Sequence, residues 1–238
     1  MTSSDMEKKR LGYEAVDRFV ADGMKIGLGT GSTAIWAVRR VAERFARGEL
    51  KGICAVTTSL QSDLEARSLG VPVLTLNDAA LSGGLDLTID GADEVDAHHN
   101  LIKGGGGALL MEKIVAYASR RFIVIVDDSK LSDQLGTRFA VPVEIMPAAV
   151  ALVSQRLRSL GATVTLRQAA RKAGPVVTDH GNLLLDAAFS PGFDPRVLED
   201  ELKLIPGVLD NGLFTKNKPA LLIGHPGAAI EFRESPSL

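Results

Sequence analysis

The chain has 238 residues, with 27 Lys and Arg against 29 Asp and Glu, so its formal net charge at pH 7 is −2. Apolar residues make up 45% of it and charged residues 24%, which is typical of a globular protein and excludes whole-chain disorder, collagen and coiled coil. The charge disfavours a nucleic-acid partner, and no apolar run reaches the roughly 18 residues of a membrane span. A single cysteine, Cys54, and a polar N-terminus without an apolar signal core predict a cytoplasmic protein.

The first half of the chain alternates short apolar runs with longer amphipathic stretches. We predict strands at 24–28, 53–56, 71–76, 85–89 and 122–126, and helices at 33–45, 60–69 and 108–121. Strands rich in Val and Ile, apolar on both faces, are typical of a parallel sheet covered by helices. The alternation therefore predicts an α/β fold with a doubly wound, Rossmann-like parallel sheet.

The pattern changes after about residue 135. We predict strands at 141–145, 163–166, 208–214 and 220–223, a hairpin at 176–186, helices at 148–160 and 195–204, and a loose tail at 231–238. The order β-α-β-β-α-β resembles the ferredoxin-like unit. We therefore expect a Rossmann-like catalytic domain formed by 1–135 and 206–238, with a smaller ferredoxin-like α+β domain inserted at 136–205.

A glycine-rich loop joins the first predicted strand to the first predicted helix, and it reads Gly27-Leu28-Gly29-Thr30-Gly31-Ser32-Thr33-Ala34. Glycines let the backbone approach a ligand, and the free N–H groups of a helix N-terminus favour an anion. The loop lacks the Lys of a Walker A motif, and the second strand ends without the acidic residue that a dinucleotide site requires. A small phosphate monoester is thus preferred to a nucleotide, and a tight turn capped by Ser or Thr is the alternative.

Four carboxylates follow the strand at 85–89, where the sequence reads Asp90-Gly91-Ala92-Asp93-Glu94-Val95-Asp96. Open α/β sheets bind ligands at this edge. Crowded carboxylates there can exchange protons or accept hydrogen bonds from hydroxyl groups, and Asp-rich turns also hold Mg²⁺ or Ca²⁺. A solvated acidic turn is the third interpretation.

Lys103 begins a run of four glycines, 104–107, and the next predicted helix carries Glu112 among apolar residues. Consecutive glycines lose much entropy on folding, so they indicate a backbone that must approach a ligand or move. Lys103 is placed to neutralise an anion. By spacing alone, Glu112 is more typical of a solvated helix face, and Lys130 of a surface lysine. His98 and His99 lack a third ligand and do not predict a metal site.

Together these motifs resemble ribose-5-phosphate isomerase, type A. The matching blocks lie in order at 27–34, 90–94, 102–109 with Glu112-Lys113, 128–130, 142–144, 178–182 and 205–208. The resemblance spans nearly the whole chain, from about Lys8 to Gly224. The chain departs from the family pattern at the glycine run, where three glycines followed by Ala are expected, and in the loop 96–99.

The resemblance implies reversible interconversion of D-ribose 5-phosphate and D-ribulose 5-phosphate in the non-oxidative pentose phosphate pathway, by a homodimer that uses no metal and no organic cofactor. It implies Glu112 as general base, Asp90 as the acid/base of ring opening, Asp93 at the sugar hydroxyls, and Lys103 as the group that stabilises developing charge. The substrate-binding residues that it implies are Lys8, Thr30, Gly31, Ser32, Thr33, Asp90, Gly91, Ala92, Asp93, Lys103, Gly104, Gly105, Gly106 and Lys130.

Three other functions compete with this one. An amino-sugar-phosphate isomerase or deaminase is expected to use a catalytic His, and no His lies in the blocks that carry the isomerase site residues, which are 27–34, 90–94, 102–112 and 128–130. A sugar-phosphate sensor of a transcription regulator needs a DNA-binding module, for which the roughly 20 residues before the first strand are too few. A nicotinamide-dependent dehydrogenase is weakened by the acidic residue missing after the second strand.

Overall fold

The computed structural model describes residues 2–236. Six α-helices lie in this range: α1 Ser3–Phe19, α2 Ala34–Ala46, α3 Leu60–Ser68, α4 Leu109–Tyr117, α5 Val150–Ser159 and α6 Pro195–Lys203. The thirteen strands described there are β1 Lys25–Leu28, β2 Cys54–Thr57, β3 Leu85–Asp90, β4 Glu94–Val95, β5 Leu101–Ile102, β6 Ser119–Asp127, β7 Val141–Ile145, β8 Thr163–Leu166, β9 Leu183–Ala188, β10 Val208–Asn211, β11 Leu213–Phe214, β12 Ala220–Gly224 and β13 Glu231–Arg233. Across the described residues, no helix combines the length and the apolar character needed to cross a membrane.

The strands form three sheets. The largest has six strands in the order β13-β12-β6-β3-β1-β2, and all of its neighbouring pairs are parallel except β12 with β13. A four-stranded antiparallel sheet has the order β10-β7-β9-β8, and a three-stranded one the order β11-β5-β4. A parallel sheet with helices, together with antiparallel sheets, confirms the predicted α/β class.

The chain divides into two compact units. The first comprises Gly91 and the residues before it, Met111–Ser129, and Asn217 and the residues after it. The second comprises Ala92–Leu110 and Lys130–Lys216. This division differs from the predicted domains, because 92–110, 130–135 and 206–216 belong to the second unit. The domain boundaries expected from the sequence stay a prediction.

The core of the first unit lies on both faces of the six-stranded sheet. Neighbouring residues of a strand point to opposite faces, and in β2 Ala55 and Val56 accordingly belong to different apolar clusters. Ala55 packs in the cluster that contains most of the buried residues of α1 and α2, whereas Val56 packs with Val115 of α4. The sheet is therefore doubly wound, as its continuous apolar strands predicted.

Helix α1 was not predicted from the sequence. It begins at a capping box in which Thr2 and Asp5 bond each other's backbone N–H groups. Its buried face packs on α2, where a Cβ at Gly12 would lie 2.7 Å from the Cβ of Trp36. Only glycine permits so close a crossing.

Several other predictions differ from the structure. The predicted strand 71–76 forms a single parallel bridge, between Val73 and Ala55, and Pro72 has no N–H to extend the ladder toward residue 71. The predicted strand 208–214 is two strands in different sheets, separated at Gly212. The prediction of a loose tail was wrong for β13, which pairs with β12, and residues 237–238 lie outside the described range.

The second unit contains the predicted ferredoxin-like order, as β7, α5, β8, β9, α6 and β10. Its core includes Val143, Leu157, Leu185 and Leu202, each at most 1% exposed. The predicted hairpin at 176–186 has one regular strand, β9, and a bridge between Val177 and Leu183. Strands β4 and β5 were not predicted, since two residues are too few to show a period.

A buried carboxylate explains two of the matching sequence blocks. Glu144 of β7 is 1% exposed and accepts hydrogen bonds from Thr178 Oγ1 and Asn182 Nδ2, both at 2.9 Å. A buried carboxylate needs such donors, because leaving it unpaired would be strongly unfavourable. The blocks 142–144 and 178–182 therefore stabilise a turn of the second unit.

His225 links the end of β12 to two acidic residues of the first unit. Its Nε2 lies 2.9 Å from Glu231 Oε2, and its Nδ1 lies 3.4 Å from Asp128 Oδ2. The hydrogen bond to Glu231, and then the one to Asp128, raise the pKa of His225 above its ordinary value. A raised pKa means that the protonated imidazole stabilises the folded state.

We expect this stabilisation to be fully present below the unfolded-state pKa of about 6.5 and to be lost as the pH rises through the higher folded-state pKa. Between pH 6 and pH 8, the free energy of unfolding of the wild type should fall relative to that of His225→Gln, as measured by urea denaturation. His98→Gln alters an exposed histidine and should keep the wild-type pH dependence. An identical pH dependence in His225→Gln would contradict this account.

Candidate functional site

The glycine-rich loop of the first unit connects β1 to α2 at the C-terminal edge of the parallel sheet. The N–H of Gly29 donates to the Ile89 carbonyl at 2.9 Å, which holds the start of the loop beside the end of β3. Gly31 has a φ of +102°, a value that L side chains rarely adopt, and its carbonyl accepts the first helical bond from Ile35 N–H at 3.1 Å. The loop thus turns directly into a helix N-terminus, which is a favourable place for an anion.

Asp90, at the end of β3, is fully buried against this loop. Its Oδ1 accepts hydrogen bonds from the N–H groups of Thr30 at 3.1 Å and Gly91 at 2.7 Å. A Cβ at Gly29 would lie 2.0 Å from the same oxygen, so only glycine leaves room for the carboxylate. Asp90 is therefore fixed in position by the loop.

The hydroxyl groups of the loop are placed differently from one another. Thr30 Oγ1 lies 2.7 Å from the hydroxyl of Thr58, a buried residue after β2 that the sequence analysis did not single out. Ser32 is exposed. Thr33 is the N-cap of α2, yet among residues 2–236 its side chain makes no capping hydrogen bond. This disfavours the alternative in which the hydroxyls of the loop serve only to cap the helix.

Glu112 lies in the first turn of α4 and is 5% exposed. Its neighbour Lys113 is also buried, and Leu109 and Val115 are fully buried. The interpretation of Glu112 and Lys113 as a solvated helix face is therefore wrong. A carboxylate in such surroundings is retained only where compensating interactions exist, and the N-terminal turn of a helix provides one.

Lys103 and the glycine run belong to the second unit. Lys103 is the largest fully buried side chain described, at 2% exposure, and its Nζ lies 5.7 Å from the centre of the Phe214 ring. Its backbone N–H donates to the Gly212 carbonyl at 2.9 Å. The position of this lysine is thus set by β11 and the residue before it.

Asp93 binds the glycine run directly. Its Oδ2 accepts a hydrogen bond from the Gly105 N–H at 2.7 Å, and a Cβ at Gly105 would lie 2.6 Å from Asp93 Oδ1. Gly104 has a φ of +103°, and a Cβ there would lie 2.8 Å from the Leu109 Cβ. The glycines are therefore required by close approach of a carboxylate and of a core side chain.

The other two carboxylates of the acidic turn have structural roles. Buried Glu94 accepts hydrogen bonds from Gly136 N–H at 3.0 Å, Thr137 Oγ1 at 2.9 Å and Phe139 N–H at 3.2 Å. Asp96 accepts from the N–H groups of His98 and Asn100 at 2.9 and 2.8 Å. Across the described residues, no three His, Cys, Asp or Glu side chains are grouped as a metal site would require.

Lys8 and Lys130 are the two other lysines that the resemblance assigns to substrate binding, and they lie in different units. Half-buried Lys8 of α1 lines a cavity of about 400 Å³ in the first unit, together with Glu7, Asp127 and Ser129. Lys130 ends a 3₁₀ helix, Asp128–Lys130, is half-buried and belongs to the second unit. A role for either lysine in binding a phosphate stays a prediction.

A family model described as ribose 5-phosphate isomerase A (phosphoriboisomerase A) matches residues 54–227. The chain belongs to the ribose 5-phosphate isomerase A family. The matched segment includes Asp90, Asp93, Lys103 and Glu112, and the resemblance drawn from the sequence motifs is confirmed.

Individual members of the ribose 5-phosphate isomerase A family match nearly the full length. The chain is 48% identical to ribose-5-phosphate isomerase A of Treponema denticola over 231 residues, which cover 94% of this chain and 97% of that protein. It is 46% identical to that of Thermococcus kodakarensis over 219 residues, covering 92% and 94%.

Solved structures agree with these sequence matches. Ribose 5-phosphate isomerase A of Methanocaldococcus jannaschii is 39% identical with a TM-score of 0.91, covering 98% of this chain and 100% of that one. A D-ribose-5-phosphate isomerase in complex with phospho-erythronic acid is 40% identical with the same TM-score and coverage.

The contact between position 29 and Asp90 yields a direct test of the loop. Gly29→Ala should lower the free energy of unfolding by about 1–3 kcal/mol, the usual effect of overpacking, because the new Cβ would collide with Oδ1. Gly83→Ala is the control, since a Cβ there would meet no atom of the described residues within 4 Å. Equal stability of the two variants in chemical denaturation would contradict the close packing.

Proposed function

We propose that this chain interconverts D-ribose 5-phosphate and D-ribulose 5-phosphate as an aldose–ketose isomerase of the non-oxidative pentose phosphate pathway. The observation that carries the proposal is the similarity to this family over nearly the whole chain. One relative, which is 48% identical, is named ribose-5-phosphate isomerase A. The matches support this function in preference to the amino-sugar enzyme, the sensor domain and the dehydrogenase.

The reaction moves a proton between C2 and C1 of the open-chain sugar through an enediol or enediolate. One carboxylate can take the proton from one carbon and return it to the other, and we assign this step to Glu112. Such a base contributes roughly 10²–10⁴-fold to the rate. The burial of Glu112 supports the assignment, because few surrounding water molecules would compete for the proton.

The other polar groups of the candidate site are assigned to the oxygens of the sugar. Lys103 would stabilise the negative charge that develops in the enediolate, a contribution of about 2.7–4 kcal/mol for one donor in comparable sites. Asp90 would exchange the proton that opens the furanose ring, with Asp93 at the sugar hydroxyls. Because the Gly105 N–H already donates to Asp93, we assign charge stabilisation to Lys103 and the backbone of Gly104 and Gly106 rather than to that amide.

The phosphate is assigned to the loop formed by Thr30, Gly31, Ser32 and Thr33, with Lys8 and Lys130 as further contacts. Gly91 and Ala92 would contribute backbone contacts beside Asp90. Binding of phospho-erythronic acid by the solved relative supports a site for a phosphorylated sugar acid, whose carboxylate resembles an enediolate in shape and charge. A phosphate held far from C1 and C2 uses its binding energy to orient the reacting carbons.

The proposal further includes a homodimer in the cytoplasm that works without a metal or an organic cofactor. These parts depend on the family resemblance and on the absence of disulfide-forming cysteine pairs in the sequence. Turnover after treatment with EDTA would test the metal-free part directly, and light scattering would test the dimer.

Glu112→Gln should bind substrate but lose at least about 99% of turnover, because the amide cannot accept the proton and the base contributes roughly 10²–10⁴-fold. The measurement is ketopentose formation from ribose 5-phosphate by EDTA-treated protein, with substrate binding followed by calorimetry. Glu14→Gln, at an exposed position of α1, is the control. Wild-type turnover in Glu112→Gln would refute the base assignment, and an inactive, well-folded wild type would refute the isomerase function.

Ser32→Ala should raise KM for ribose 5-phosphate about tenfold to a hundredfold and leave kcat nearly unchanged. The expected loss is one hydrogen bond to a charged group, worth about 1.5–3 kcal/mol. Ser82→Ala, at an exposed position of the same unit, should keep the wild-type KM. If steady-state kinetics give the same KM for both variants, the phosphate binds elsewhere.

A further inference from the structure

A charged side chain from outside the sequence motifs holds the glycine run. Arg167, which follows β8, donates from Nη1 to the carbonyls of Gly104 at 2.8 Å and Gly105 at 3.2 Å. All three residues belong to the second unit. No motif in the sequence indicates this contact, because more than 60 residues separate the partners.

The guanidinium of Arg167 is itself fixed by a carboxylate. Its Nε donates to Asp186 Oδ2 at 2.9 Å, and its Nη2 donates to Asp186 Oδ1. The two side chains are 15% and 27% exposed, so the pair is largely shielded from solvent. The backbone of Arg167 is also held, since its N–H donates to the Leu184 carbonyl and its own carbonyl accepts from Val176, both at 2.9 Å. Arg167 is therefore a rigid donor aimed at the loop.

The loop depends on such outside contacts. Glycines 104–107 have no side chains and are the most costly residues to order. The described contacts that order them are Arg167 on the carbonyl side, Asp93 on the N–H side and one internal bond, from Gly107 N–H to the Gly104 carbonyl at 3.0 Å. Lys103 directly precedes this loop.

One peptide group connects the two charged partners. The Gly104 carbonyl and the Gly105 N–H belong to the same peptide, and they point in opposite directions because the bond is trans. The carbonyl receives the Arg167 hydrogen bond and the N–H donates to Asp93. Polarising one end of a peptide strengthens the hydrogen bond at its other end. A continuous chain of hydrogen bonds therefore runs from Asp186 through Arg167 and the peptide between Gly104 and Gly105 to Asp93.

We propose that Arg167 is a positioning residue of the isomerase site, which orients Asp93 and the amides of the glycine run through the peptide between Gly104 and Gly105. This inference rests on the proposed function. Because both carbonyls face Arg167, the N–H groups of Gly105 and Gly106 face the opposite side. Arg167 acts through these groups and does not contact the substrate.

Replacing Arg167 tests this role. Arg167→Ala should lower kcat about tenfold to a hundredfold with a smaller change in KM, since a misplacement of about 1 Å in a site can reduce the rate about a hundredfold. Arg167→Lys, which keeps one charged donor, should recover part of the loss, and millimolar methylguanidine should partly restore Arg167→Ala. Hydrogen exchange at 104–107 should become faster in Arg167→Ala. Lys216→Ala, which removes another ion pair of the same unit, should change none of these quantities.

The outcomes separate this inference from the proposed function. An inactive, folded wild type would refute the function itself. An active wild type with Arg167→Ala within twofold of its kcat, or with only KM raised, would overturn the positioning role. If Arg167→Ala fails to fold, Arg167→Lys decides the matter: a lowered kcat at unchanged melting temperature supports the proposal, and a wild-type kcat refutes it.

Discussion

The close approach of the Asp90 carboxylate to the backbone of Gly29 is the contact on which the sheet edge of the first unit depends. A Cβ at position 29 would lie 2.0 Å from Asp90 Oδ1, so β1 must leave the sheet through a glycine. The same oxygen then accepts from the Thr30 N–H, which directs the chain toward α2. The glycine-rich loop and the buried acid are thus ordered by one interaction, and neither could be altered without displacing the other.

Much of the fold could be predicted because buried parallel strands are continuous apolar runs, as at 122–126. Helix α1 escaped prediction because its charged residues outnumber the buried Leu11, Ala15 and Val16. Its capping box, Thr2 with Asp5, was the signal that could have revealed it. The false strand at 71–76 had the right apolar content, but it forms one bridge, and Pro72 has no N–H to extend it toward residue 71. The apolar pattern alone does not show that a backbone N–H donor is missing.

The candidate site was predictable only through the order of its motifs. Nothing local separates Asp93 from Glu94, two neighbouring carboxylates. The difference appears when Glu94 meets three donors from residues 136–139, about forty positions later, whereas Asp93 binds the glycine run. The sequence also did not indicate that Glu112 is buried, because Glu followed by Lys in a helix is typical of an exposed face. Tertiary contacts assign these roles, and a single sequence does not encode them locally.

Buried carboxylates order loops of the second unit. Glu94 and Glu144 each gather hydroxyl or amide donors from one loop, and Asp186 does the same indirectly by fixing Arg167. The glycine run shows why this is needed. Residues without side chains allow Asp93 to approach closely, but they contribute no packing of their own. The order of such a loop must therefore come from charged residues distant in sequence. A site that contains a glycine loop thus depends on residues other than those that would contact the substrate.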